Sequence, residues 1–273
     1  MRQEMIRIYQ GPIPAGWKEA ELRSLVDLKR GYSWSKDQEI LKPESGAVPV
    51  IRILNVQEKL LLNPLLYLRG LSEQDVIANA VSKGWILFVA SNGNEDRIGD
   101  SVLIEEDMQM VFASFLMAMK PKNTTELIPE FLALWLRLHW VHEILSKTAQ
   151  KGSGLGNFSW GAVKRLPLRY PENPVEQRRI VEAVAAVSRY VELTSARSPN
   201  IRTLKKKDTL QDSSEAEPDS DDASDDDGTV ERTNNAAELE MAVALRFCLL
   251  EELVSGQRLL ATNSELTPEV INA

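Results

Sequence analysis

His139 and His142 stand three residues apart in a helical pattern, a spacing that puts two imidazoles on one helix face where they could share a metal ion. The chain holds no other histidine, and its one cysteine, Cys248, sits among Phe247, Leu249 and Leu250, so no Cys/His set completes a site. Core or half-buried imidazoles beside Trp135 and Trp140 are therefore expected. Glu105-Glu106 and Glu95-Asp96 are carboxylate pairs in or beside turns, where solvated surface is the ordinary reading. No glycine-rich cofactor loop follows a strand, no acidic or Asn residue precedes Pro-Pro-aromatic, and no Walker-type loop ends in Lys-Ser or Lys-Thr. No catalytic and no metal-binding residue is assigned, and no cofactor is expected in this chain.

A different chemistry is written at the glycine turns. Backbone next to glycine approaches phosphates closely, while Arg, Lys, Asn and Ser reach phosphates and base edges. The candidates are Lys29, Arg30 and Tyr32 around Gly31, Arg52 with Asn55, Ser91, Asn92 and Asn94 around Gly93, Arg97, and Lys151 with Ser153 in Lys-Gly-Ser-Gly. Taken singly, each is equally an ordinary turn or surface charge. The net charge of -8 is unfavourable for a nucleic-acid binder, but it is unevenly placed. Eleven acids face two bases between Lys207 and Arg232, and six acids face two bases from Thr233 to Ala273, which leaves +5 on Met1 to Lys206.

These groups need a scaffold, and 43% hydrophobic residues over 273 positions suffice for a core. Val48–Val56, bounded by Ser45-Gly46, reads as a β-branched strand. Trp85–Ala90 is another, ended by Ser91-Asn92-Gly93-Asn94, and Asp100–Ile104 and Met110–Met119 supply two more. Pro129 opens a helix that continues to Leu145, with Phe131, Trp135, Leu138, His142 and Leu145 on one core face. The apolar stretch 127–145 carries too many polar groups for a bilayer, and Met1–Gln10 lacks the apolar run of a signal peptide. A soluble, cytoplasmic chain is expected.

From Asn173 the character changes. Asn173 as N-cap, Pro174 at the first helical position and Glu176 three residues after the cap predict a helix start with a capping box. Ile180, Val184, Val187 and Val191 follow at heptad spacing, with Arg178, Arg179, Glu182 and Arg189 left to solvent. Residues 198–235 collapse into Ser, Asp and Glu and are expected to be disordered. Helical patterning resumes at Ala236 with Ala242, Leu245, Leu249 and Leu253, and Gly256 is a stop. The expected fold class is α+β. A mixed recognition domain spans 1–171, a first spacer helix 172–197, the acidic insert 198–235, a second spacer helix 236–262 and a tail 263–273. The narrow seam wants a partner helix: Ile180, Val184, Val187, Val191, Leu245 and Leu249 would join two copies in a homodimer, or the two helices would pair within one chain.

Taken in order, Gly16-Trp17, Lys29 to Tyr32, GAVPVIRILNV, KGWILFVASNG, KGSGLGNFSWGAVKRLPLRYP and EQRRIVEAV resemble a half-length specificity subunit of type I restriction-modification systems. The resemblance covers Gly11 to about Val191, and Val243–Leu260 is similar to the family's helix end. It implies one target-recognition domain reading half of a split double-stranded DNA site, carried on helices that set the distance to a second reader. It also implies a DNA methyltransferase (modification) subunit as partner, a restriction subunit beyond it, and S-adenosylmethionine, ATP and magnesium only in those partners. Two departures stand out: Trp85 occupies a position that is commonly acidic, and the acidic insert splits the spacer. A stand-alone DNA-binding or regulatory protein using the same domain is the alternative. A diverged nuclease built on Asp96 and Asp100 lacks an ordered Asp, Glu and Lys constellation.

Overall fold

The computed structural model describes residues 11–152, 155–197 and 226–256. The chain divides into two units, one formed by the stretch up to Val181 together with that from Glu251 onward, the other by Glu182–Leu250.

The first unit opens with β1 (Trp17–Glu21), the single turn α1 (Leu22–Leu25) and β2 (Val26–Arg30). Next come β3 (Glu39–Ile40), β4 (Val48–Ile51), β5 (Leu66–Leu68), α2 (Glu73–Asn79) and β6 (Ala80–Val81). β7 (Ile86–Val89), β8 (Ser91–Asn92), β9 (Ser101–Leu103), β10 (Met108–Phe112) and β11 (Leu116–Pro121) follow. Then the chain forms α3 (Pro129–Leu136), α4 (His139–Lys147), β12 (Gln150–Gly152), β13 (Leu155–Asn157), α5 (Trp160–Val163) and β14 (Pro167–Pro171). Helices α6 (Pro174–Arg197) and α7 (Asp226–Val254) each run across the boundary between the units. The α+β class expected from the sequence is the class observed.

Two sheets carry the domain. One has the order β3-β5-β4-β10-β6 and is mixed, since β10 runs parallel to β4 and antiparallel to β6. The other, β2-β11-β7-β9, is antiparallel throughout. Ile51, Val81 and Phe112 from the first sheet meet Leu87, Val89, Val102, Leu116 and Ala118 from the second in one core cluster. Alternation along β7 and β11 puts Ile86, Phe88 and Met119 on the opposite face. Helix α3, with Phe131, Leu132 and Trp135 buried, lies against β9 and β11.

Several elements differ from the sequence expectation for local reasons. The strand expected over Val48–Val56 ends at Ile51, because the Asn55 side chain takes the Arg52 N–H and turns Ile53–Asn55 into a 3-10 turn. Met110–Met119 is two strands in two different sheets. Here the end of β2 crosses the β10–β11 turn so closely that a Cβ on Gly31 would sit 2.2 Å from the Ala113 carbonyl oxygen. The helix expected over Pro129–Leu145 is broken at Arg137 and Leu138, where Leu138 adopts extended backbone and buries its side chain completely. Of the predicted stripe, Phe131, Trp135, Leu138 and Leu145 are buried and His142 is half-buried.

Helix α7 begins at Asp226, inside the stretch expected to be disordered; residues 198–225, the rest of that insert, lie outside the described residues. Of the expected second spacer, the helix stops at Val254, and Gly256 takes the left-handed conformation that closes it. A Cβ on Gly256 would meet the Trp17 ring at 3.0 Å, so the stop is also a packing site.

Candidate nucleic-acid interface

The C-terminal ends of β2, β4, β7 and β10 come together around one turn, Ala113-Ser114-Phe115, that no sequence signal singled out. Tyr32 N–H donates to the Phe112 carbonyl at 2.7 Å, and Ser114 N–H donates back to Tyr32 at 2.8 Å. Ala113 N–H reaches the carbonyl of Ile51, the residue before Arg52. The Phe115 carbonyl accepts from both Ala90 and Ser91, at 2.9 and 3.1 Å. Beside them β8 pairs with β13, Asn92 opposite Gly156, and β13 pairs with β12, Lys151 opposite Gly156. Four of the predicted segments are thus gathered at one end by backbone hydrogen bonding alone: Lys29–Tyr32, Arg52, Ser91–Asn94 and Lys151–Gly152.

Within this end the side chains divide by what they already hold. Arg30 is exposed, with Nε donating to the Ser114 carbonyl at 3.1 Å. Asn94 is exposed and Asn92 half-buried, and the Oδ1 of each accepts only a neighbouring backbone N–H, Asp96 for Asn94 and Asn94 for Asn92. Their Nδ2 groups have no partner among the described residues. Arg52 is half-buried, and its Nε has no partner among the described residues. Tyr32 packs its ring on the small cluster of Val50, Leu66, Leu68 and Val111. Lys151 joins this end through its backbone pairing, and Ser153 lies outside the described residues.

Other candidates prove to be occupied. Asn55, expected to read bases, is fully buried: Oδ1 accepts from Arg52 N–H at 2.9 Å, and Nδ2 donates to the Leu61 and Pro64 carbonyls at 2.7 and 3.1 Å. It shapes the loop that follows β4. Ser91 is 2% exposed with its hydroxyl buried, so it cannot reach a groove as it stands. Arg97 donates to Asp100 at 2.9 Å and to the Val56 carbonyl at 3.0 Å, and His142 Nε2 lies 3.4 Å from the same carboxylate. Burial opposes the charged form of Asp100, but His142 and Arg97 outweigh it and hold the carboxyl below its ordinary value. Lys29 donates to the Ala80 carbonyl at 2.9 Å and stands 4.6 Å over the Trp85 ring, with Lys120 4.8 Å from the same ring. Burial and Lys120 both lower the Lys29 pKa. The Trp85 ring thus meets two ammonium groups.

At the opposite side of the domain, α6 is fastened by the Glu176-Gln177 pair. Gln177 is completely buried; its Oε1 accepts Ile128 N–H at 2.9 Å, and its Nε2 donates to the Glu126 and Pro171 carbonyls at 2.7 and 2.8 Å. Asn173 caps the helix through Val175 N–H. The expected return contact of a capping box is absent among the described residues, because Glu176 instead accepts the Trp17 indole N–H at 3.1 Å. Tyr170 donates to Glu126 at 2.6 Å, and burial together with that carboxylate pushes the phenol pKa up, which keeps it a donor. Glu251 near the end of α7 accepts His139 N–H, and burial raises its carboxyl pKa.

In the unit Glu182–Leu250 the seam is covered within one chain. Val184, Val191 and Ala242 are buried, Val187 is half-buried, and the Tyr190 hydroxyl meets the Glu238 carboxylate across the two helices. Leu249 is half-buried, but Leu245, expected in the seam, is 48% exposed and lies off it, as does Met241 one turn earlier. Ile180, in the first unit, is buried as well.

The sequence pattern described as the type I restriction modification DNA specificity domain matches residues 14–202. The chain belongs to this family. The match takes in the gathered end, the Gln177 junction and the whole of α6. The chain is similar to the StySPI type I restriction enzyme specificity subunit of Salmonella potsdam, with 22% identity over 200 residues, 72% of this chain and 42% of that relative. It therefore spans less than half the length of the curated relative it matches. Among solved structures it is similar to the type I restriction-modification S subunit from M. genitalium, at 16% identity and TM-score 0.46, covering 72% of this chain and 45% of that one. The HsdS subunit from Thermoanaerobacter tengcongensis gives 13% identity and TM-score 0.46, with 94% and 50% covered. Among the described residues, no helix of this specificity domain is long and apolar enough to cross a membrane, and no three His, Cys, Asp or Glu are grouped to hold a metal ion.

Proposed function

We propose that this chain is a non-catalytic, cytoplasmic reader of double-stranded DNA that directs a methyltransferase partner to one half of a split site. The gathered end around Ala113–Phe115 is the reading surface. The observation that carries this is the convergence there of Arg30, Arg52, Asn92 and Asn94, each with hydrogen-bonding capacity left over, on backbone fixed by the two sheets. Donors of these types contact phosphates and base edges. The charge of +5 on Met1 to Lys206 supplies modest phosphate attraction, so binding by the chain alone is weak and falls steeply with salt.

The burial of Val184, Val191 and Ala242 within one chain supports pairing of the two helices inside a monomer over the expected homodimer. The reading is tested by mobility shift of the full chain, with its methyltransferase partner, on a randomised duplex pool at several salt concentrations. Enrichment of one half-site is expected. Retention of every sequence equally at all salts would refute it.

A further inference from the structure

Phe115 is 46% exposed at the centre of the gathered end. Single exposed apolar residues are common and by themselves mean little. Here the backbone that carries the ring is tied down on both sides. Leu116 N–H closes the turn on Ala113 at 2.8 Å, so Phe115 occupies its third position. The Phe115 carbonyl takes two N–H groups from Ala90 and Ser91, Ser114 N–H is held by Tyr32, and the Ser114 carbonyl is held by Arg30. The next residue, Leu116, is fully buried in the inter-sheet core and anchors the turn from below. A side chain presented this way loses little freedom on binding, which is how rigid aromatics gain affinity.

The surroundings indicate what would meet it. Arg30 binds the residue before Phe115, Ser91 binds Phe115 itself, and Asn92 follows Ser91 directly. An aromatic side chain on a turn that also binds a guanidinium and adjoins the Asn92 strand suits a nucleic-acid groove, where the polar groups take phosphates and base edges and the ring takes apolar base surface.

We propose that Phe115 is an aromatic wedge that packs against a base step of bound duplex DNA and adds a charge-independent contact to recognition. This rests on the DNA-reading function proposed above. A ring releases no counterions, so its contribution is independent of salt, whereas Arg30 contributes to the salt slope.

The experiment uses the full chain with its methyltransferase partner, the duplex recovered from the randomised pool, and a scrambled duplex of the same composition. Phe115→Ala should weaken binding to the recovered duplex about tenfold, the lower range for loss of one base–aromatic contact. Its slope of log affinity against log salt and its thermal midpoint should match the wild type. Phe115→Trp should restore most of the affinity. With 2-aminopurine placed at successive positions, wild-type binding should raise fluorescence at one step and Phe115→Ala should not. If the wild type prefers the recovered duplex and Phe115→Ala binds it equally well, the wedge is wrong and the reading function stands. A weakened Phe115→Ala that also melts earlier or loses salt dependence would likewise overturn it. No preference by the wild type would overturn both.

Discussion

At the Gln177 junction polar side chains are buried and spent on the protein itself, whereas at the Ala113–Phe115 end they are exposed and only partly used. Gln177 satisfies the Ile128 N–H and the Glu126 and Pro171 carbonyls, the first two 49 and 51 positions away in sequence. Arg30, by contrast, spends one donor on Ser114, and Asn92 and Asn94 each spend one acceptor on their own turn. Both places are rich in polar groups, and both sit where elements meet. The difference teaches that a polar cluster holds geometry when its groups are matched inside, and is available for recognition when they are not. Asn55 and Arg97 follow the first rule although they neighbour the proposed reading end.

The largest effect should come from the junction. Gln177→Leu takes the Gln177 partner from three backbone groups, two of them in buried hydrogen bonds, and at about 1–3 kcal/mol for an orphaned group the loss should reach about 3 kcal/mol or more. Calorimetry should show a midpoint lower by roughly 10 °C, since about 2–4 °C accompanies each kcal/mol in a domain of this size. Next, Asn55→Ala should cost about 2 kcal/mol by denaturant unfolding, through the Arg52, Leu61 and Pro64 groups it releases. At temperatures where both proteins are folded, its DNA preference should equal the wild type's. A changed preference with unchanged stability would move Asn55 to the other side of the comparison.

Arg30→Ala reverses the pattern: stability should stay within about 0.5 kcal/mol, because the side chain is exposed, while the salt slope of DNA binding should fall by about one. The smallest effect is on acid stability. The Asp100 carboxyl is held below its ordinary value in the folded state, so its stabilising contribution is complete above pH about 4 and is lost as pH falls through the lower folded value. Asp100→Asn should therefore flatten the acid limb of the stability curve below pH about 4, measured by urea unfolding at several pH values.

Much of this was legible in the chain. Alternation and β-branching marked β4, β7 and β9, the Asn173-Pro174 start and the Gly256 stop marked the long helices, and glycine turns marked most of the reading end. What stayed hidden depends on distant partners. Asn55 in Arg-Ile-Leu-Asn looks like a surface amide until Leu61 and Pro64 fold over it. The break at Arg137-Leu138 carries no Gly or Pro. The β10–β11 turn is written only as Ala113-Ser114 inside an apolar run, so Phe115 read as one more strand residue. Tyr190 and Glu238, 48 positions apart, reveal only in three dimensions that the seam closes within one chain.

The central claim is that the Ala113–Phe115 end reads sequence and the Gln177 junction does not. The direct measurement is recovery of bound duplexes from a randomised pool by the wild type, by Asn92→Ala/Asn94→Ala and by Gln177→Glu, each in the full chain with the proposed methyltransferase partner at a temperature where all are folded. The account predicts one shared half-site for the wild type and Gln177→Glu, and blurring at one or two of its positions for the double variant, whose melting temperature stays at the wild-type value. An identical half-site from all three, or blurring by Gln177→Glu alone, would contradict it.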